Sequence, residues 1–287
     1  MKNLKQIIAQ ITPLLDKPSD ELQPLIWQFI CYPPKMPLRL HQEQLLNQAE
    51  HFSLKVFDEF FTGTYLSFNG FIWGNGRRKI LITHGWGSKA ADFSDLILML
   101  REINDVQIIA FDAPGNGSSE GDLSNLLLFV QAIKAVVAHC GEPDILIGHS
   151  IGAMANVVAL GAMSFTPSLL ASITPLIKLK ENFEASMTAI GIPQAAQDEF
   201  LENFEARFGI PASTFNMDDK YRFNAQLNHW LAYDRLDAVS PYAYMENFLA
   251  THPSIKTLQC DGAGHDRVLK SAIMLEGLVG AVRKALD

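Results

Sequence analysis

One stretch limits what this chain can become. Ile145-Leu146-Ile147-Gly148-His149-Ser150-Ile151-Gly152-Ala153-Met154-Ala155-Asn156 begins as an apolar run, passes through Gly-His-Ser-Ile-Gly and continues in small residues with helical character. Read as strand, one-residue turn and helix, it is a G-x-S-x-G pattern in the context that gives the pattern meaning. A serine on so sharp a turn exposes its hydroxyl only if the flanking backbone passes close to both strand and helix. That is a reason for glycine at 148 and 152. The turn also sets Ser150 at a helix N-terminus, where unpaired N–H groups and the helix dipole favour developing negative charge. Taken alone, the pattern also fits a plain Gly-Ser-Gly loop between strand and helix. A serine nucleophile needs a base, an acid to orient the base and oxyanion donors, in the chain order Ser, Asp or Glu, His.

Around that stretch, short apolar runs alternate with helical segments. Strands are expected at 79–83, 106–111, 144–148 and 170–174, with helices at 91–103, 123–139 and 152–161 between them. The rhythm resumes with strands at 227–233 and 255–260 and helices at 241–250 and 266–285. Alternation with short connections implies right-handed crossovers and a doubly wound, mostly parallel sheet, an α/β fold. Ahead of it, residues 53–73 are rich in β-branched and aromatic side chains, with breaks at Thr62-Gly63 and Asn69-Gly70, and read as paired antiparallel strands. Three parts follow: a helical arm over 1–52, an α/β core over 53–174 and 227–287, and a helical cap inserted at 175–226. In the insertion, Phe183, Met187 and Ile190 mark one amphipathic helix; Phe200, Leu201, Phe204 and Phe208 mark a second. Phe204 and Met187 are its candidates for a substrate pocket.

In a parallel sheet, ligand chemistry sits in the loops at the carboxyl ends of the strands. Four such loops carry suitable residues. His84-Gly85-Trp86-Gly87 lets a backbone N–H face the site, so the N–H groups of Trp86 and Ile151 are the candidate oxyanion donors. Asp112-Ala-Pro-Gly-Asn-Gly-Ser118 is a rigid turn beside the site and reads as scaffold. Asp234 and Asp237 compete for the acid; Asp237, before a helix whose first turn suits Pro241, is preferred. Asp261-Gly-Ala-Gly-His265 leaves a histidine free to reach Ser150, with Asp266 as an N-cap for the last helix. His149, on the tight turn, reads first as structural, with the substrate pocket as its functional alternative. A zinc site from His84, His149 and His265 lacks the close spacing of known ligand sets, so no metal and no other cofactor is expected.

Composition narrows the partners. With 23 Lys+Arg against 31 Asp+Glu, a net charge of −8 and no basic cluster, nucleic acid and anionic membrane surfaces are poor partners. The three cysteines, Cys31, Cys140 and Cys260, are widely separated and form no C-x-x-C, which argues against a disulfide framework or zinc ribbon. Neither a signal peptide nor a membrane-length apolar run is visible, so the cytoplasm is the expected compartment.

Over residues 53–287 the chain resembles the α/β-hydrolase superfamily. His84-Gly-Trp-Gly, Asp112-x-Pro-Gly-x-Gly-x-Ser119, Gly148-His-Ser-Ile-Gly152, Asp237-x-Val-x-Pro241 and Gly264-His-Asp-Arg-Val-Leu269 together are similar to its esterase-like members with a helical cap. The resemblance implies Asp237 as the acid, four residues before a similarly placed proline. Asn116 departs from it, standing where many relatives carry His, and Val239-Ser240-Pro241 interrupts a commoner Val-Pro pair. The implied activity is a serine hydrolase acting on a small apolar carboxylic ester, with Ser150 as nucleophile, His265 as base and Asp237 orienting it. Thioesters, amides, peptides and C–C bonds are alternatives for the same triad, as is cofactor-free haloperoxidase chemistry. A non-catalytic ligand receptor on the same fold is the alternative of another class. Oligomeric state is left open.

Overall fold

The computed structural model describes residues 2–16 and 19–287; Met1, Lys17 and Pro18 of the expected arm lie outside the described residues. Three helices lead: α1 (Lys2–Ile11), α2 (Leu22–Cys31) and α3 (Leu40–Leu46). Then follow β1 (Glu50–Asp58), β2 (Thr64–Trp73), β3 (Arg78–Thr83), α4 (Ser94–Leu100), β4 (Val106–Phe111), α5 (Leu126–Cys140), β5 (Ile145–His149) and α6 (Ile151–Leu160). After β6 (Leu169–Ile173) come three consecutive helices, α7 (Leu179–Ala189), α8 (Gln194–Phe208) and the short α9 (Met217–Lys220). The alternation returns with β7 (His229–Tyr233), α10 (Tyr242–Thr251), β8 (Lys256–Gln259) and α11 (Ala272–Leu286).

All strands join one sheet in the order β1-β2-β4-β3-β5-β6-β7-β8. The pairs β1·β2 and β2·β4 are antiparallel; every pair from β4 to β8 is parallel. Its central strands are buried on both faces, and their side chains divide with period two. Leu81, Ile109 and Leu146 face α5, α6 and the helices after β6, while Ile80, Ile82, Ile108, Ile145 and Ile147 face α4 and α11. From β3 the chain moves outward to β4, then crosses back to β5 on the other side of β3. That reversal of strand order opens a crevice at the carboxyl ends of β3 and β5, where Thr83 and Gly148 are paired.

Three local expectations are corrected. Asn69-Gly70 does not break a strand: Gly70 lies inside β2 opposite Phe52, whose ring occupies the space a side chain at 70 would need. The segment expected as one helix over 91–103 is a 3-10 turn (Ala90–Phe93) followed by α4, which ends at Leu100. Asp266 does not cap the last helix. A 3-10 turn (Arg267–Lys270) intervenes, and Ser271, in extended backbone, accepts the Met274 N–H and starts α11. Among the described residues no helix is long and apolar enough to cross a membrane, and the three cysteines are free.

Candidate active site

The loop after β5 is as tight as its sequence implies. Ser150 has φ 53° and ψ −123°, a conformation that L-residues hold only when their surroundings impose it. Those surroundings are backbone. A side chain at Gly152 would run into the carbonyls of Thr83 and His84 at the end of β3, and one at Gly148 would lie 2.6 Å from Ala153 Cα. The Ser150 N–H donates to Ile173 on β6, and its carbonyl accepts the Leu176 N–H, so the turn is pinned to the neighbouring strand.

His265, in the loop after β8, reaches across to it. Its Nε2 lies 2.8 Å from Ser150 Oγ and its Nδ1 lies 2.7 Å from Asp237 Oδ2. With Nδ1–H donating to the carboxylate, Nε2 is left to accept the serine hydroxyl proton. Asp237 is itself held: Oδ1 accepts the N–H groups of Val239 at 2.8 Å and Ser240 at 3.0 Å. The competing carboxylate has another place. Asp234 Oδ2 accepts the Gly264 N–H at 2.6 Å and Oδ1 the Leu236 N–H at 2.8 Å, which ties the acid loop to the histidine loop. Burial pushes the Asp234 carboxyl up, but the N–H groups of Gly264 and Leu236, with their neighbours, outweigh it and hold it below the usual carboxylate range.

The backbone of His265 is clamped as well. Its carbonyl accepts from His149 Nε2 at 3.0 Å and from Thr174 Oγ1 at 3.3 Å. Burial, and then the nearby His265, push the His149 pKa down to about 3, so this imidazole stays neutral with its proton on Nε2. His149, His265 and Asp266 offer ligand atoms within 4.8 Å of one another. Both nitrogens of His265 are, however, already engaged with Ser150 and Asp237. His84 stands outside that group.

His84 organises the loop after β3. Fully buried, and held neutral chiefly by that burial, it places Nδ1 2.6 Å from the Gly85 carbonyl and accepts the Ala113 N–H on Nε2 at 2.9 Å. The Gly85 carbonyl and the Trp86 N–H belong to one planar peptide, so fixing one aims the other. Gly87 (φ 63°) donates its N–H to Asn116 Oδ1 at 3.0 Å, and Pro34 from the chain after α2 packs where a Gly87 side chain would be. Asp112 braces the next stretch by accepting the N–H groups of Ala90 and Ser118, each at 2.8 Å. The N–H groups of Trp86 and Ile151 find no acceptor among the described residues.

Ser150, Trp86 and Ile151 lie on the wall of a cavity of about 280 Å³. Phe204 lines it together with Phe183 and Phe208, so α7 and α8 both face the serine. Met187 and His149 do not. Met187 is wholly buried in the core beneath α7, and His149 turns toward Gly85 and the His265 carbonyl. Among the described residues no Asp, Glu, Lys, Arg or His side chain lines the cavity.

A family model described as "Alpha/beta hydrolase family" matches residues 80–281. The chain belongs to the alpha/beta hydrolase family. No curated protein matches its sequence significantly. Among solved structures, this hydrolase is similar to an esterase from Pyrococcus furiosus at 18% identity and a TM-score of 0.61, covering 89% of this chain and 97% of that one. It is similar also to alpha/beta hydrolase domain-containing protein 10 from mouse, at 17% identity and a TM-score of 0.61, covering 83% and 99%. A thioesterase domain from the curacin biosynthetic pathway aligns at 19% identity and a TM-score of 0.56, covering 80% and 98%. At such identities the likeness is one of fold.

Two features of the candidate site escape a reading of the sequence. Asn116 marks itself only as a departure from the resembled motif, yet it holds Gly87 and, through Nδ2, the Pro114 carbonyl at 3.1 Å. The arm's place at the cavity leaves no trace: Leu4, Phe29, Ile30, Cys31, Tyr32 and Pro34 line it, but their sequence shows only apolar helical segments followed by a stiff, proline-rich connector.

Proposed function

We propose that this protein hydrolyses carboxylic esters by a Ser-His-Asp mechanism through an acyl-enzyme. Ser150 Oγ attacks the ester carbonyl as His265 Nε2 takes its proton, and Asp237 stabilises the imidazolium that forms. The oxyanion of the tetrahedral intermediate accepts from the Trp86 and Ile151 N–H groups, aimed by the His84–Gly85 contact and by the start of α6. His265 returns the proton to the leaving alkoxide; water, activated by the same imidazole, then releases the acid. One observation carries the reading: the unbroken relay Ser150 Oγ to His265 Nε2 (2.8 Å) and Nδ1 to Asp237 Oδ2 (2.7 Å), on a strained turn that opens to a cavity.

The cavity's lining supports one substrate class. A wall of Leu, Ile and Phe with a few hydroxyls and amides, and no charged side chain, favours an uncharged, apolar acyl group, because an unpaired charge there loses its hydration without compensation. Residues 175–226 serve in this reading as the cap, with α7 and α8 roofing the serine.

The test is active-site labelling with a fluorophosphonate, alongside kcat/KM for p-nitrophenyl esters of increasing chain length and their thioester counterparts. Labelling at Ser150 is expected, and Ser150→Ala should lose at least ~10³-fold in turnover while keeping its fold. Turnover by Ser150→Ala at the wild-type rate would sink the assignment. Failure of the folded wild type to label or turn over would leave ligand binding as the role of the fold.

A further inference from the structure

Resting on the esterase reading above, we propose that the N-terminal arm is the second wall of the acyl site, and that Phe29 and Ile30 select the length of the acyl chain together with the cap. Six arm residues reach the cavity that holds Ser150: Leu4 from α1, Phe29, Ile30 and Cys31 from α2, and Tyr32 and Pro34 from the chain that follows. They line it together with Phe183, Phe204 and Phe208, so a substrate there would touch arm and cap alike.

The arm is built into that position from both ends. On the cap side, Trp27 packs on Phe200 at 4.8 Å between ring centroids and stacks with Phe204 and Phe208 at 6.2 and 6.1 Å. The Arg207 guanidinium covers the same indole at 4.4 Å, and Gln23 Nε2 donates to the Ala196 carbonyl at 2.9 Å. On the catalytic side, the Cys31 carbonyl accepts the Ser124 N–H at 2.8 Å, Lys35 Nζ donates to the Ser119 carbonyl at 2.8 Å, and Pro34 sits on Gly87. One short segment thus touches the roof of the cavity and the turns that carry the candidate oxyanion donor. The family model matches from residue 80 onward, so this wall lies outside the residues it matches.

Its chemistry is that of an apolar wall. Burial pushes the Cys31 thiol up to about 12 against the weaker pull of Arg207, so it remains a neutral thiol and adds no nucleophile. Phe29 is half-buried and Ile30 is buried, which places the more adaptable side chain at the edge of the cavity. At about 280 Å³ the cavity is near the small end of the roughly 300–1,000 Å³ typical of ligand sites, a size for acyl chains of intermediate length.

The experiment uses the full chain. Wild type, Phe29→Ala, Phe29→Leu and Ile30→Trp are each compared on p-nitrophenyl esters from acetate to palmitate, and on alkyl fluorophosphonates of matched length, with a thermal melt of every variant. Truncating Phe29 should raise the long-to-short ratio of kcat/KM by roughly tenfold, with Phe29→Leu intermediate; filling the site with Ile30→Trp should lower the ratio by a similar factor. The ratio is read within one variant, so a partly unfolded preparation does not mimic the effect. Equal ratios in all four proteins, or a loss that scales every chain length alike, would overturn the proposal and reduce the arm to a prop. A folded wild type that no probe labels and no ester engages would instead overturn the esterase reading beneath it.

Discussion

Two carboxylates stand three residues apart in the loop after β7, and the structure gives them different work. Asp237 touches the His265 imidazole, whereas Asp234 touches only backbone, at Gly264 and Leu236. Asp237→Asn keeps the shape but can donate to Nδ1, turning the imidazole to the tautomer that cannot accept the serine proton; a fall in kcat on the order of 10³- to 10⁴-fold is expected. Asp234→Asn weakens a charge-assisted hold on the histidine loop and should cost within about tenfold in kcat, with part of the effect in stability. Parallel kinetics and urea melts of the two variants decide it; the reverse ranking would reassign the acid. Ser150, Asp237 and His265 are legible in sequence because each lies in a loop punctuated by Gly or Pro after a readable strand. Phe204 and Met187 are not separable that way. Helical periodicity marks both as apolar-face residues, but only the packing shows that a cavity opens beside Phe204 while Met187 is filled around.

The element that bears most on the site is the junction of β3, β5 and α6. Helix α6 starts against the last carbonyls of β3, and Gly152 is what lets it come so close: a side chain there would be 2.6 Å from the Thr83 carbonyl and nearer still to that of His84. Gly152→Ala should therefore push the first turn of α6 outward, carrying the Ile151 N–H with it. A cost of roughly 1–3 kcal/mol in stability is expected for such overpacking, with a fall in kcat larger than any change in KM. Gly161, at the other end of the same helix, has φ −62° and no atom nearer than 3.5 Å to an added Cβ. Gly161→Ala should be neutral or stabilising by about 0.4–1 kcal/mol, and equal effects at the two positions would refute the close-approach account. Strands and crossovers at this level are legible because their apolar runs are short and separated by glycine, proline or charge. Where one residue breaks the local rule for a partner far away, legibility ends: Gly70 looks like a strand break until Phe52 is seen beside it. Asp266 likewise looks like a cap until Ser271, further on, is found in that place.

At the scale of the whole molecule, the arm lines the same cavity as Ser150, which lies far along the chain, and nothing in the arm's own pattern announces that. Periodicity says which face of α1 or α2 is apolar, not what it meets. The same is true of the buried histidines, whose neighbours come from several elements. His84, His149 and His229 are all buried and all held below the usual imidazole range, each chiefly by desolvation; for His149 and His229 the value falls to about 3. His229 sits between Ser172 Oγ at 2.9 Å and Tyr221 OH at 3.2 Å, fully buried, and burial is what opposes a charge on its ring. In the unfolded chain these histidines titrate near ~6.5. Between that value and their folded values the unfolded state binds more protons, so stability falls as pH falls, by up to about 1.4 kcal/mol per pH unit for each histidine. Asp92 and Asp234, held below the usual carboxylate range, add a further loss in the same direction at lower pH. Urea midpoints are thus expected to hold steady from pH 8 to 7 and to drop steeply from pH 6 to 4. His229→Gln, far from Ser150 in the sheet, removes one of the three protons. It should flatten that slope whatever it does to stability at pH 7. Midpoints that stay level from pH 7 to 5, or an unchanged slope in His229→Gln, would show that buried neutral histidines do not govern the acid limit of this fold.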